Sequence, residues 1–97
     1  MNYVQQLFSL KDKVALVTGA ANGNGKAIAK GIAKAGAEVI LVDIDPSVRD
    51  FSYELNQQGT RCSAYVCDLS SKEDVDNLVK EISNGHKNIS VLVNNAG

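Results

Sequence analysis

Apolar residues fall into short runs separated by stretches with helical spacing, and the two patterns alternate along the chain. Val14-Ala15-Leu16-Val17 is an apolar run that stops at Thr18-Gly19, as a strand buried on both faces does on reaching a turn. After a glycine cluster, Ala27, Ile28, Ile32 and Ala35 lie near helical spacing. Ala29, Gly31 and Ala33 are small enough for close approach to a sheet, and Gly36 supplies the stop. A second strand is predicted over Glu38 to Val42, ending at Asp43. Asp45-Pro46 then opens a second helix as cap and first helical residue, with Val48, Phe51 and Leu55 as its apolar stripe up to Gly59.

Arg61 to Cys67 predicts a third strand, with Asp68 immediately beyond it. Ser70 followed three residues on by Glu73 is a capping box, and Val75, Leu78, Val79 and Ile82 repeat as one face of a third helix. Ile89 to Val93 is the fourth strand, running into Asn94-Asn95-Ala96-Gly97. The order βαβαβαβ implies a parallel sheet with right-handed crossovers, because parallel neighbours need a long return connection. No repeat, linker or low-complexity segment interrupts it, and residues 1–7 form a short polar lead-in.

Composition narrows the function classes. Ten Lys plus Arg against eleven Asp plus Glu give a net charge of −1, with no basic block to face nucleic acid or an anionic membrane. The longest apolar stretches are far shorter than a bilayer span or a signal-peptide core, so a cytoplasmic protein is expected. Cys62 and Cys67 stand five apart in a predicted strand, pointing to opposite faces, and read as unbridged buried thiols. No Cys/His cluster has metal-ligand spacing, and His86 lies in a polar stretch as a solvated turn residue. A chain of 97 residues buries only about two-thirds of its unfolded surface, so its stability is expected to be modest.

The turn after the first strand, Thr18-Gly19-Ala20-Ala21-Asn22-Gly23-Asn24-Gly25, has the spacing T-G-x-x-x-G-x-G. Two better-known phosphate loops fail here. A Walker A loop needs Ser or Thr after its Lys and an earlier glycine, where this chain has Ala27 and Ala20. The G-x-G-x-x-G fingerprint starting at Gly23 needs a glycine where Ile28 stands. The longer loop obeys the same physics: glycines let the backbone approach a pyrophosphate, whose charge faces the free N–H groups of the helix. The alternative is a glycine-rich turn without a ligand.

Asp43 lies twenty positions after Gly23, at the end of the second strand, where a carboxylate can accept both ribose hydroxyls of an adenosine and repel a 2′-phosphate. Asp68 ends the third strand at the same edge, where a polar residue before a capped helix is also ordinary. In the doubly wound order the fourth strand lies beside the first, away from the second. The glycine loop and Asn94-Asn95-Ala96-Gly97 then flank the switch-point crevice.

With Lys13-Val14-Ala15-Leu16-Val17-Thr18-Gly19, the glycine loop, Asp43, Asp68-Leu69 and Asn94-Asn95-Ala96-Gly97 in order, the chain from about Phe8 to Gly97 resembles the N-terminal part of a short-chain dehydrogenase/reductase. The resemblance implies a partial Rossmann fold over residues 8–97, a doubly wound parallel sheet of strand order 3-2-1-4. It implies that Gly19, Asn22, Gly23 and Asn24 line the cofactor, Asp43 and Ile44 the adenosine ribose, Asp68 and Leu69 the adenine, and Asn95, Ala96 and Gly97 the inner ribose. Asn94 is then chiefly structural. Asn24 departs from the isoleucine or leucine usual in the family, which bears on apolar packing near the nicotinamide end; asparagine there can instead help cap the helix.

The family's catalytic set is a serine, a Tyr-x-x-x-Lys pair and a supporting asparagine, all beyond the Asn-Asn-Ala-Gly segment. Tyr3, Tyr53 and Tyr65 are followed four residues on by Leu7, Gln57 and Leu69, so none begins such a pair, and no catalytic residue is assigned. The expectation is the NAD-binding half of an oxidoreductase, with NAD preferred over NADP and a carbonyl or alcohol substrate only in a complete form. A non-catalytic nucleotide-binding module and a non-functional gene fragment are the alternatives. With the fourth strand at the sheet edge, Ile89, Val91 and Val93 are charge-free and unpaired, so self-association is expected.

Overall fold

A computed structural model of the chain describes residues 9–85 and 88–95. The lead-in 1–7, Phe8, His86, Ala96 and Gly97 lie outside the described residues. Seven elements follow in strict alternation: β1 (Val14–Thr18), α1 (Gly23–Lys34), β2 (Glu38–Asp43), α2 (Val48–Gln57), β3 (Cys62–Val66), α3 (Lys72–Gly85) and β4 (Val91–Asn94). The strands form one parallel sheet, as the alternation requires, in the order β3-β2-β1-β4 that the resemblance implies.

The register places chemistry at one edge. Thr18 pairs with Val42 of β2 and with Asn94 of β4, and Asp43 pairs with Val66 of β3, so all four strands end together. Both sheet faces are covered, unequally. Val17, Val39 and Leu41 point to one face and pack with Ala29 of α1 and with Val48, Phe51 and Leu55 of α2. Leu16, Ile40 and Val42 point to the other, against Leu78 and Ile82 of α3. Cys62 joins the first cluster and Cys67 the second, so the two free thiols are separated by the sheet, and burial pushes both pKa values up. Each large side chain removed from water contributes about 1.5–3 kcal/mol.

Helices α1 and α2 stop in the same way. Gly36 and Gly59 adopt positive φ (102° and 92°) just past the helix ends. Their N–H groups bond Ala33 O and Asn56 O, while the following Ala37 and Thr60 bond Ile32 O and Leu55 O. These paired bonds satisfy carbonyls that would otherwise lack partners, and only glycine takes that φ without strain.

The structure corrects four boundaries, among them the third strand, which runs from Cys62 to Val66 rather than from Arg61 to Cys67. Asp45-Pro46 forms a turn rather than the first residues of the helix. Asp45 Oδ1 accepts from Ser47 N at 2.9 Å and its carbonyl from Val48 N at 3.1 Å, which delays α2 to Val48. The cap of α3 is Ser71, whose Oγ accepts from Asp74 N at 3.2 Å. Ser70 cannot serve, because its N–H and hydroxyl both bond Asp68 Oδ1, at 2.9 and 2.6 Å. The fourth strand runs from Val91 to Asn94 rather than from Ile89 to Val93, because the ladder follows β1 to its end at Thr18.

Candidate functional site

The loop from Gly19 to Asn22 leaves β1 and becomes α1 within four residues. Asn22 is the N-cap residue, its side chain makes no capping bond, and the first turn holds no acidic residue. The first N–H groups of a helix have no intrahelical partner and sit at the positive end of its dipole, so this turn can receive an anion. Gly25 fits it closely against the strand ends. A Cβ there would collide with the Gly19 carbonyl oxygen and come within 2.7 Å of Asn95 Nδ2. Asn24 is an exposed residue inside the first turn, so the cap position falls to Asn22 rather than to Asn24.

Asp43 ties this loop to the second strand. Its Oδ2 accepts from Ala21 N at 2.8 Å and its Oδ1 from Asp45 N at 2.9 Å, fixing the carboxylate beside the loop with lone pairs to spare. Ile44 follows it, with 62% of its surface exposed at the rim. Asp45 extends the arrangement by accepting from Asn22 Nδ2 at 3.3 Å. Its hydrogen bonds from Ser47 and Asn22 hold its carboxyl below the usual value.

The fourth strand closes the other flank. Asn95 N donates to Thr18 Oγ1 at 3.0 Å, and Asn95 Nδ2 reaches Gly19 O at 3.4 Å. Thr18 Oγ1 lies 3.2 Å from Asn94 Oδ1, its hydrogen-bond acceptor, which makes Asn94 a structural residue of the strand end. Gly19, Asn22, Gly23, Asn24, Asp43 and Asn95 are thus drawn to one edge by β1, β2 and β4.

Asp68 stands apart. Its side chain is engaged by Ser70, which holds its carboxyl below the usual range, and its N–H donates to Asp74 Oδ2 at 3.2 Å. Its hydrogen bonds therefore serve the entry to α3. Leu69 beside it is 41% exposed and, like Ile44, leaves an apolar surface at the carboxyl edge of the sheet. A cavity of about 900 Å³ lined by Lys13, Lys34, Glu38 and Arg61 opens where the strands begin. It lies at the wrong end of the sheet for a doubly wound fold, whose ligands sit beyond the strands' carboxyl ends.

A sequence model of the short chain dehydrogenase family matches residues 13–97. The chain belongs to this family. Among curated relatives it is similar to the NAD-dependent glycerol dehydrogenase of Listeria innocua, 41% identical over 90 residues, which span 93% of this chain and 35% of that protein. Among solved structures it is similar to a Pseudomonas aeruginosa RhlG/NADP active-site complex, with TM-score 0.86 and 36% identity, over 93% of this chain and 36% of the other. A 2-keto-3-deoxy-D-gluconate dehydrogenase from Streptococcus agalactiae matches with TM-score 0.82 and 38% identity, over 98% and 36% of the two chains. The chain spans little more than a third of the length of these short chain dehydrogenases. Its four parallel strands and glycine loop are the part it shares with them.

The sequence did not single out Asp45 as a partner of the glycine loop. Its Asp-Pro dipeptide signals a turn, and that signal carries no information about Asn22, which reaches it only because β1 and β2 are neighbours.

Proposed function

We propose that this chain is the dinucleotide-binding half of an NAD-dependent oxidoreductase of the short chain dehydrogenase family. The observation that carries the reading is the uncapped first turn of α1, set beside the anchored carboxylate of Asp43. A dinucleotide fits this pair: its pyrophosphate meets the N–H groups of α1, and its adenosine ribose meets Asp43. Ile44 joins Asp43 at the adenosine ribose in this reading, Asp68 and Leu69 flank the adenine, and Asn95, Ala96 and Gly97 the inner ribose.

When bound, the nicotinamide exchanges a hydride with a carbonyl or secondary alcohol. The 97 residues contain no Tyr-x-x-x-Lys to handle the accompanying proton. Purified as such, the chain therefore binds and does not turn over. A cytoplasmic setting goes with this reading, and the two free thiols are compatible with it.

NAD is preferred over NADP in this proposal, because Asp43 faces the position of a 2′-phosphate. A carboxylate and one phosphate charge about 4 Å apart repel by roughly 4 kcal/mol at an effective dielectric near 20, before salt screening. Calorimetric titration is expected to give tighter binding of NAD, and Asp43→Asn is expected to narrow the gap. Equal or tighter binding of NADP by the unsubstituted chain overturns the preference, and binding of neither overturns the function.

A further inference from the structure

Asn22 occupies the N-cap position of α1 without capping it. Its backbone angles, φ −145° and ψ 163°, lie in the extended region that capping residues adopt, and asparagine is among the strongest capping side chains. Its amide instead donates to Asp45 Oδ2 at 3.3 Å. A carboxylate oxygen only accepts, so Nδ2 must be the atom that faces Asp45. Asp45 is itself held in place, accepting from Ser47 N and donating its own N–H to Asp43 Oδ1, both at 2.9 Å.

We propose that Asp45 is a positioning residue: by engaging Asn22 it keeps that side chain from capping α1, and so keeps the first-turn N–H groups available to the phosphates of a dinucleotide. The inference rests on the binding function proposed above and deepens it. An N-cap side chain accepts from the second or third N–H of its helix, here those of Asn24 and Gly25. Those are donors a phosphate would use. Cap and ligand therefore compete, and the residue that removes the cap favours the ligand.

The sign of the effect separates this role from simple electrostatics. Removing a carboxylate near a phosphate site strengthens anion binding if charge alone matters. Releasing Asn22 onto the helix weakens it by about fivefold, the affinity equivalent of one N-cap bond.

The test titrates NAD and, separately, inorganic pyrophosphate into the 97-residue chain and its variants, and follows amide exchange at Asn24 and Gly25 without ligand. Asp45→Ala is expected to bind both probes about fivefold more weakly and to slow exchange at one of the two amides. Asp45→Asn, which keeps an acceptor for Asn22 without the charge, and the double variant Asn22→Ala/Asp45→Ala are both expected to bind more tightly than Asp45→Ala. Should Asp45→Ala fail to fold, Asp45→Ser takes its place, because its hydroxyl can hold the turn to Ser47 and is too short for Asn22. A double variant as weak as the single one, or unchanged exchange in the single one, overturns the proposal. If the unsubstituted chain binds neither probe, the proposed function falls while the exchange rates still decide where Asn22 sits.

Discussion

The Thr18 hydroxyl accepts the backbone N–H of Asn95 at 3.0 Å, joining the last residue of β1 to the residue just beyond β4. Thr18 is buried, and the same hydroxyl donates to Asn94 Oδ1, so one oxygen fixes both asparagines at the crevice wall. Thr18→Val keeps the shape and removes these bonds together with the longer contact of the hydroxyl to Val93 O at 3.4 Å, leaving a part-buried N–H without its acceptor. A loss of about 1–3 kcal/mol is expected in urea unfolding, with faster amide exchange at Asn95. Thr18→Ser, which keeps the hydroxyl, should lose less. Equal stability of the serine and valine variants would show that the hydroxyl does not hold the wall.

Gly23 and Gly25 stand two residues apart and fail for different reasons. A Cβ on Gly25 meets the Gly19 carbonyl and Asn95 Nδ2, so Gly25→Ala forces the glycine loop off the strand ends. Overpacking of this kind costs about 1–3 kcal/mol, and here it distorts the first turn of α1 as well. A Cβ on Gly23 meets nothing within 4 Å, but its φ of +58° strains an alanine by about 1–2 kcal/mol. Both variants should unfold at lower urea concentration. Only Gly25→Ala should also shift the Asn95 side-chain amide resonances, because only its methyl group reaches that side chain.

The order of elements was legible in sequence from hydrophobic period, and the 3-2-1-4 sheet from the motifs that carry the family resemblance. The two corrected helix starts have a different cause. At Ser70 and Asp45 a local hydrogen bond competes with the helix start, and spacing alone cannot say which serine or aspartate wins. Contacts set by neighbouring strands were invisible. Asp43 reaches Ala21, and Asn22 reaches Asp45, only because β1 and β2 pair in one register. Asn56 is a further case: its side chain bonds both the N–H and the carbonyl of Cys62, pinning the start of β3 from the end of α2. No pattern of apolar residues marks that role.

Acid should weaken the turns at Asp45 and Asp68 together. Hydrogen bonds from Ser47 lower the Asp45 carboxyl and those from Ser70 lower Asp68, both from an ordinary 3.8. A carboxyl lowered by folding contributes stability that is fully present above its unfolded value and is lost as pH falls through the folded one. The window therefore lies below about pH 4. Both groups are exposed, so the change is small, and the comparison to make is between chains. The urea midpoint of Asp45→Asn/Asp68→Asn should fall less between about pH 5 and pH 3 than that of the unsubstituted chain. Parallel curves would show that neither turn depends on its charge.

The last expectation concerns β4, the outer strand of the described sheet. Its residues Val91-Leu92-Val93-Asn94 carry no charge, and edges of this kind recruit other strands. Leu92 adds an apolar surface. Its register partner Leu16 is buried on the α3 face with Leu78 and Ile82, yet Leu92 itself is 68% exposed and lies outside that cluster. A second copy of the chain can satisfy the edge hydrogen bonds and cover Leu92 at once. The 97-residue polypeptide is therefore expected to self-associate, and Leu92→Lys, which puts a charge on that edge while leaving the buried core untouched, should suppress the association. Sedimentation velocity across a concentration series provides the measurement. A monomer at tens of micromolar, or a lysine variant that associates as strongly as the unsubstituted chain, would show that β4 is not the joining surface.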